Sequence, residues 1–242
     1  MQEQPLNAGR PGRRTFIAAT LLALVIPGTI LFGVFCLGDR KYYFISLLIM
    51  LYSMLPFALV FERRRPEARE LLVVAVLAAI AVAGRAAFFM LPQFKPVVAI
   101  VIITGVCCGA EAGFLVGAVA GFVSNFFFGQ GPWAPWQMFS LGVIGFLAGI
   151  LIKRGFLKKE RLPLCLYGGF SAFFIYGGII DCGSLLMFTP YFSWPALLTV
   201  YVSGFWFNVV HAAATVFFLF VLSRPLIEKL DRIKIKYGML ES

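Results

Sequence analysis

One histidine, His211, in 242 residues leaves little material for an imidazole-based metal site or a Ser-His catalytic pair. The five cysteines, Cys36, Cys107, Cys108, Cys165 and Cys182, show no C-x-x-C spacing, so metal ligation is not indicated and each reads as a small buried hydrophobe. No G-x-x-x-x-G-K-[ST] loop occurs, which excludes ATP binding of the P-loop kind by this chain alone. The energy for any work must then come from partners or gradients. H-E-x-x-H and G-x-S-x-G are missing too, so an enzyme within the membrane ranks well below a binding or transport protein. Charge is also scarce, at 13% of residues, and acids number 11 against 21 lysines and arginines.

What fills the chain instead is apolar. Hydrophobic residues make up 61% and the mean hydropathy is +0.91, far more than a soluble core needs. An integral membrane protein is the consequence. A spanning helix takes about 20 apolar residues, and eight runs qualify as candidates: 15–37, 42–61, 71–91, 96–109, 112–128, 136–152, 163–182 and 195–222. The runs are continuous rather than alternating, which selects helices over a barrel. The expected fold is an all-α integral membrane protein.

The net charge of +10 could point to nucleic acid, but its placement points to orientation. Basic residues cluster at 10–14, 63–69, 153–161 and 224–236, all on one side if the termini share a face. Arg40, Lys41 and Lys95 fall on the other side, and Arg85 lies inside a run. This is the positive-inside pattern, predicting both termini in the cytoplasm, contact with anionic lipid and no nucleic-acid partner.

Residues 1–14 read as a cytoplasmic tail, 15–61 as a two-helix hairpin, 62–70 as a charged cytoplasmic linker, 71–224 as a six-helix core and 225–242 as a basic cytoplasmic tail. The core centres on residues 110–151, where Gly113, Gly117 and Gly121 recur on one face of one run and Gly142, Gly145 and Gly149 recur in the next. Small residues at such intervals let membrane helices approach closely. Ala75, Ala79, Ala83 and Ala87 form a similar ridge in the first core span.

Three outer loops, 91–96, 129–135 and 183–195, share proline and aromatic residues. They are either interfacial anchors or a lid closing over a ligand. On the lid reading, Phe89, Trp133, Trp136, Tyr191 and Trp194 supply apolar faces, while Gln93, Asn125, Gln130 and Gln137 orient a substrate. The low charge favours a neutral or bulky amphipathic molecule, and Lys95 keeps a carboxylate or phosphate open. Arg85 is costly in a span unless paired or wet. It either pairs with Asp181 or contacts ligand directly. Asn208 and His211, one turn apart in the last span, are packing residues or the floor of a pocket. Glu111 sits at a helix start as a structural carboxylate.

The segment SNFFFGQGPWAPWQMF, the following GFLAG and the preceding LLVVAVLAAIAVAGRAAFFMLPQFKP together resemble the membrane-embedded S components of energy-coupling factor (ECF) vitamin transporters. Within that group the similarity is to proteins of the cobalamin type. The resemblance spans roughly residues 70–222, and the first two runs lie outside the usual six-helix pattern. It implies a substrate-capture subunit that binds a vitamin at the extracellular side and works with a transmembrane coupling subunit and two ATPase subunits. It implies no cofactor. It also implies that Ala75, Ala79 and Ala83 contact the coupling subunit, against the simpler reading that they pack within the monomer. Riboflavin or another vitamin is the alternative substrate, and a stand-alone secondary transporter or channel for a small neutral solute is the alternative class. A membrane scaffold without transport is a third.

Overall fold

The computed structural model describes residues 54, 68–129, 131, 133–189 and 193–237. Both expected N-terminal spans, apart from Met54, lie outside the described residues, as do Gln130 and Tyr191. All regular structure among the described residues is helical: α1 (Ala68–Ala87), α2 (Val97–Cys108), α3 (Ala110–Phe128), α4 (Ala134–Lys153), α5 (Arg161–Phe170), a π-helical turn (Ser171–Tyr176), α6 (Gly177–Phe188) and α7 (Trp194–Tyr237). α5, the π turn and α6 run on as one span, Arg161–Phe188. With α1, α3, α4 and α7 that makes, among the described residues, 5 helices long and apolar enough to cross a bilayer.

α2 is different. Its 12 residues are all buried, and at 1.5 Å per residue it is about 18 Å long, too short to cross the hydrocarbon layer alone. It serves as the post around which the bundle packs. α2 and α3 meet at Gly109, whose φ of 93° is open to glycine at no steric cost. Pro135 occupies the first turn of α4, where its missing N–H costs nothing.

The glycine ridges bring α2, α3 and α4 into backbone contact. A Cβ at Gly105 would lie 2.1 Å from the Gly145 carbonyl oxygen, one at Gly145 would lie 2.4 Å from that of Gly113, and one at Gly117 would lie 2.5 Å from that of Leu141. Gly142 instead faces the Phe114 ring. α1 buries Leu77, Ala78, Ala81 and Arg85, while Ala75, Ala79 and Ala83 are exposed. Among the described residues, no helix packs over that ridge.

Two boundaries depart from the sequence reading. The seventh run was expected to end at 182 and its loop to begin at 183, but α6 continues to Phe188, because Gly183 packs under the Trp136 ring and Leu185 is buried. The last run was expected to end at 222, but α7 passes through Pro225 to Tyr237. A proline inside a helix costs about 3 kcal/mol. Burial of Ile227 and Leu230 and the 2.9 Å ion pair between Lys159 and Asp231 hold the segment beyond it against the bundle.

The two ends of the bundle differ in charge. Lys153, Lys159 and Lys234 gather with Glu111 around the α2–α3 turn. Arg85, Lys95, Asn125 and Gln137 gather at the other end.

Candidate functional site: a buried polar cluster around Arg85

Arg85 occupies the last turn of α1 and is only 9% exposed. Gly84 beside it allows the loop before α2 to close in, since a Cβ there would lie 2.6 Å from Pro96 Cγ. The guanidinium turns inward to α3 and α4. Its Nη1 donates to Ser124 Oγ and, at 3.1 Å, to Asn125 Oδ1, and its Nη2 reaches Gln137 Oε1 at 3.5 Å. The centroid of the Phe128 ring lies 4.6 Å from Arg85 Cζ and 4.6 Å from Lys95 Nζ, so two cations lie against one aromatic ring. Phe89 packs against the same ring with centroids 5.0 Å apart. Burial, and then the charge of Arg85, hold the Lys95 ammonium below the usual lysine range.

The π-helical turn completes the inner wall. A π segment inserts extra residues into a helix and re-aims its side chains, and such segments recur at functional sites. Here it ends on Tyr176, which is 8% exposed, with Arg85 and Gln137 as its electrostatic and hydrogen-bonding neighbours. Tyr176 meets His211 of α7 edge to face at 4.5 Å. One turn up α7, Asn208 Nδ2 donates to Asp181 Oδ2 at 2.8 Å, and Gly204 leaves room for that carboxylate.

The expected Arg85–Asp181 pair is not formed. Arg85 is held by neutral acceptors from α3 and α4, and Asp181 is held by Asn208 on α7, because the two helix ends that carry them face different neighbours. Arg85, Asn125, Gln137 and Phe89 come together as one group, and His211 joins it through Tyr176. Asn208 lies beside Asp181 instead. Gln93 adopts φ 57° in the α1–α2 loop, a left-handed conformation uncommon for a side-chain-bearing residue. The two tryptophans part company: Trp136 is buried against Gly183 at 6% exposure, whereas Trp133, against Gly131, stays 38% exposed. Of the two, Trp133 is the one that keeps an exposed face.

Ser124, Phe128 and Tyr176 belong to the cluster and escaped the sequence reading. Ser124 and Phe128 had a usable cue, since both flank Asn125 on α3. Tyr176 had none, because its orientation depends on the π turn. Three buried nitrogens, Asn125 Nδ2, Trp136 Nε1 and His211 Nδ1, have no hydrogen-bond partner among the described residues. Buried polar atoms are normally paired, and unpaired ones mark places that take a ligand or water. No group of three His, Cys, Asp or Glu side chains suited to a metal exists among the described residues.

Helices long and apolar enough to cross a bilayer, with a polar, part-unsatisfied cluster at one end of the bundle, define a multi-pass membrane protein. Residues 66–228 match the family described as the ECF-type riboflavin transporter, S component. The match covers well over half of the chain, and the protein belongs to that family. Among curated relatives, a UPF0397 protein of Vibrio atlanticus (strain LGP32) is 29% identical over 125 residues, 49% of this chain and 68% of its own length. A UPF0397 protein of Aliivibrio fischeri (strain MJ11) is 30% identical over 138 residues, 52% of this chain and 75% of its own. No solved structure matches the chain.

Proposed function

We propose that this S component captures a vitamin-type small molecule at the Arg85 end of the bundle. It passes the molecule inward together with a transmembrane coupling subunit and two ATPase subunits. The observation that supports the reading is the cluster itself: a buried arginine held by Ser124, Asn125 and Gln137, with unpartnered nitrogens on Asn125, Trp136 and His211 around it. An apolar bundle has no structural use for so many unsatisfied donors. The basic residues at the opposite end support a cytoplasmic placement of that end, with both termini inside and the Arg85 end outside. The exposed face of Ala75, Ala79 and Ala83 is the contact for the coupling subunit.

The ligand is a planar, riboflavin-type vitamin in preference to a corrinoid. The family description points there. Calorimetry on the purified full chain with riboflavin, riboflavin 5′-phosphate, cobinamide and cobalamin tests this. Tight binding without any partner protein is expected. Failure of the whole panel to bind removes the capture reading, and tight binding of a corrinoid alone reverses the choice of vitamin. Trp133 has roughly 90 Å² left to bury, worth about 2 kcal/mol, so Trp133→Ala is expected to weaken binding about 30-fold.

A further inference from the structure

The Arg85 end carries uncompensated charge of one sign. Two of the guanidinium hydrogens, both on Nη1, are taken by Ser124 Oγ and Asn125 Oδ1. Nη2 has only the 3.5 Å contact to Gln137, and Nε has no acceptor among the described residues. The Nε–Nη2 edge is thus the free side of the fork, the side that receives a carboxylate or phosphate through two parallel hydrogen bonds. Lys95 is close by, on the same Phe128 ring. Asp181 is the one described acid near this end, and it is engaged by Asn208 and seated over Gly204, away from Arg85.

We propose that this end of the site receives an oxyanion: the captured molecule carries a carboxylate or phosphate that docks on the Nε–Nη2 edge of Arg85, with Lys95 as the second cation. The inference rests on the capture reading above and deepens it. A neutral ligand would seal two cations into a low-dielectric site with dipoles alone to balance them, the costly arrangement for a buried charge. An oxyanion ends that imbalance, and the Asn125 Nδ2 next to Arg85 is a spare donor for the same group. A lipid headgroup is the other source of such an anion. Arg85 is enclosed by α1, α3, α4 and the π turn and is 9% exposed, so a soluble molecule entering from the loop side is the occupant.

The test uses the purified full chain and ligand pairs that differ in charge: riboflavin 5′-phosphate against riboflavin for the phosphate arm, and biotin against biotinamide for the carboxylate arm. In the arm that binds, the charged member is expected to bind at least about 10-fold tighter at low salt, with the margin shrinking as ionic strength rises. Arg85→Gln keeps a hydrogen-bonding side chain and is expected to cut that preference to about 3-fold or less, while Arg85→Lys keeps part of it. Lys95→Gln, in the loop between α1 and α2, is expected to lower the preference by roughly 3-fold and to flatten its salt dependence. Equal or tighter binding of the neutral member overturns the proposal, as does a preference unchanged in both Arg85→Gln and Lys95→Gln. Displacement of the charged member by phosphatidylglycerol vesicles but not by inorganic phosphate would assign the anion site to lipid and overturn it as well. If none of these four, cobinamide or cobalamin binds, it is the capture reading that fails, and the inference falls with it.

Discussion

The glycine ridges of α3 and α4 and the alanine ridge of α1 look alike in sequence, small residues one helical turn apart, yet the fold uses them oppositely. Gly113, Gly117 and Gly145 press backbone against backbone in the middle of the bundle, where any side chain would force the helices apart. Ala75, Ala79 and Ala83 face away from the other described helices. The difference lies in one methyl group. Glycine permits contact so close that the helices cannot part without losing it, which suits a permanent scaffold. Alanine leaves a smooth, shallow surface that a neighbouring helix can meet less tightly.

The sharpest way to break the comparison is to put a side chain into each ridge. Gly145→Val places a Cβ 2.4 Å from the Gly113 carbonyl oxygen, so it is expected to cost about 3 kcal/mol or more and to remove folded protein from the membrane fraction. Gly121, in the facing ridge of α3, is the control: its Cβ position lies 3.2 Å from Met138 Cα, and Gly121→Ala is expected to change thermal stability in detergent by about 1 kcal/mol or less. Folded Gly145→Val protein of normal stability would show that the backbone contact is not the lock.

Ala79→Leu is expected to do the reverse. Stability and ligand binding by the isolated chain stay near the parent's, while uptake in cells that carry the energising subunits is lost. Normal uptake would end the idea that this face meets the coupling subunit. The smallest effect is expected at the basic end, where the Lys159–Asp231 pair is 38% exposed on both sides. Lys159→Ala is expected to cost up to about 1 kcal/mol, less in high salt, and a larger loss would mean that this pair, more than the apolar contacts of Ile227 and Leu230, holds the end of α7.

Much of the fold was legible. Six of the eight apolar runs coincide with described helices to within a few residues, except where α6 and α7 run on. The cue for α7 was present: Leu226, Ile227, Leu230 and Ile233 repeat at helical spacing after Pro225, but the proline and the high charge outweighed it. In the site, Arg85, Asn125 and Gln137 were legible as polar residues stranded near the ends of apolar runs. The pairing of Arg85 was not, since Asp181 at matching depth in sequence turned out to sit against α7.

Membership of the membrane, helix as the secondary structure and the presence of small-residue ridges are properties of composition and local period, so the sequence alone determined them. Which ridge is inside, which tryptophan is buried and which neighbours hold Arg85 depend on rotation of each helix about its axis and on a π turn that shifts Tyr176 out of α-helical register. Those are set by packing among α1, α3, α4 and α7, and only the tertiary structure decided them.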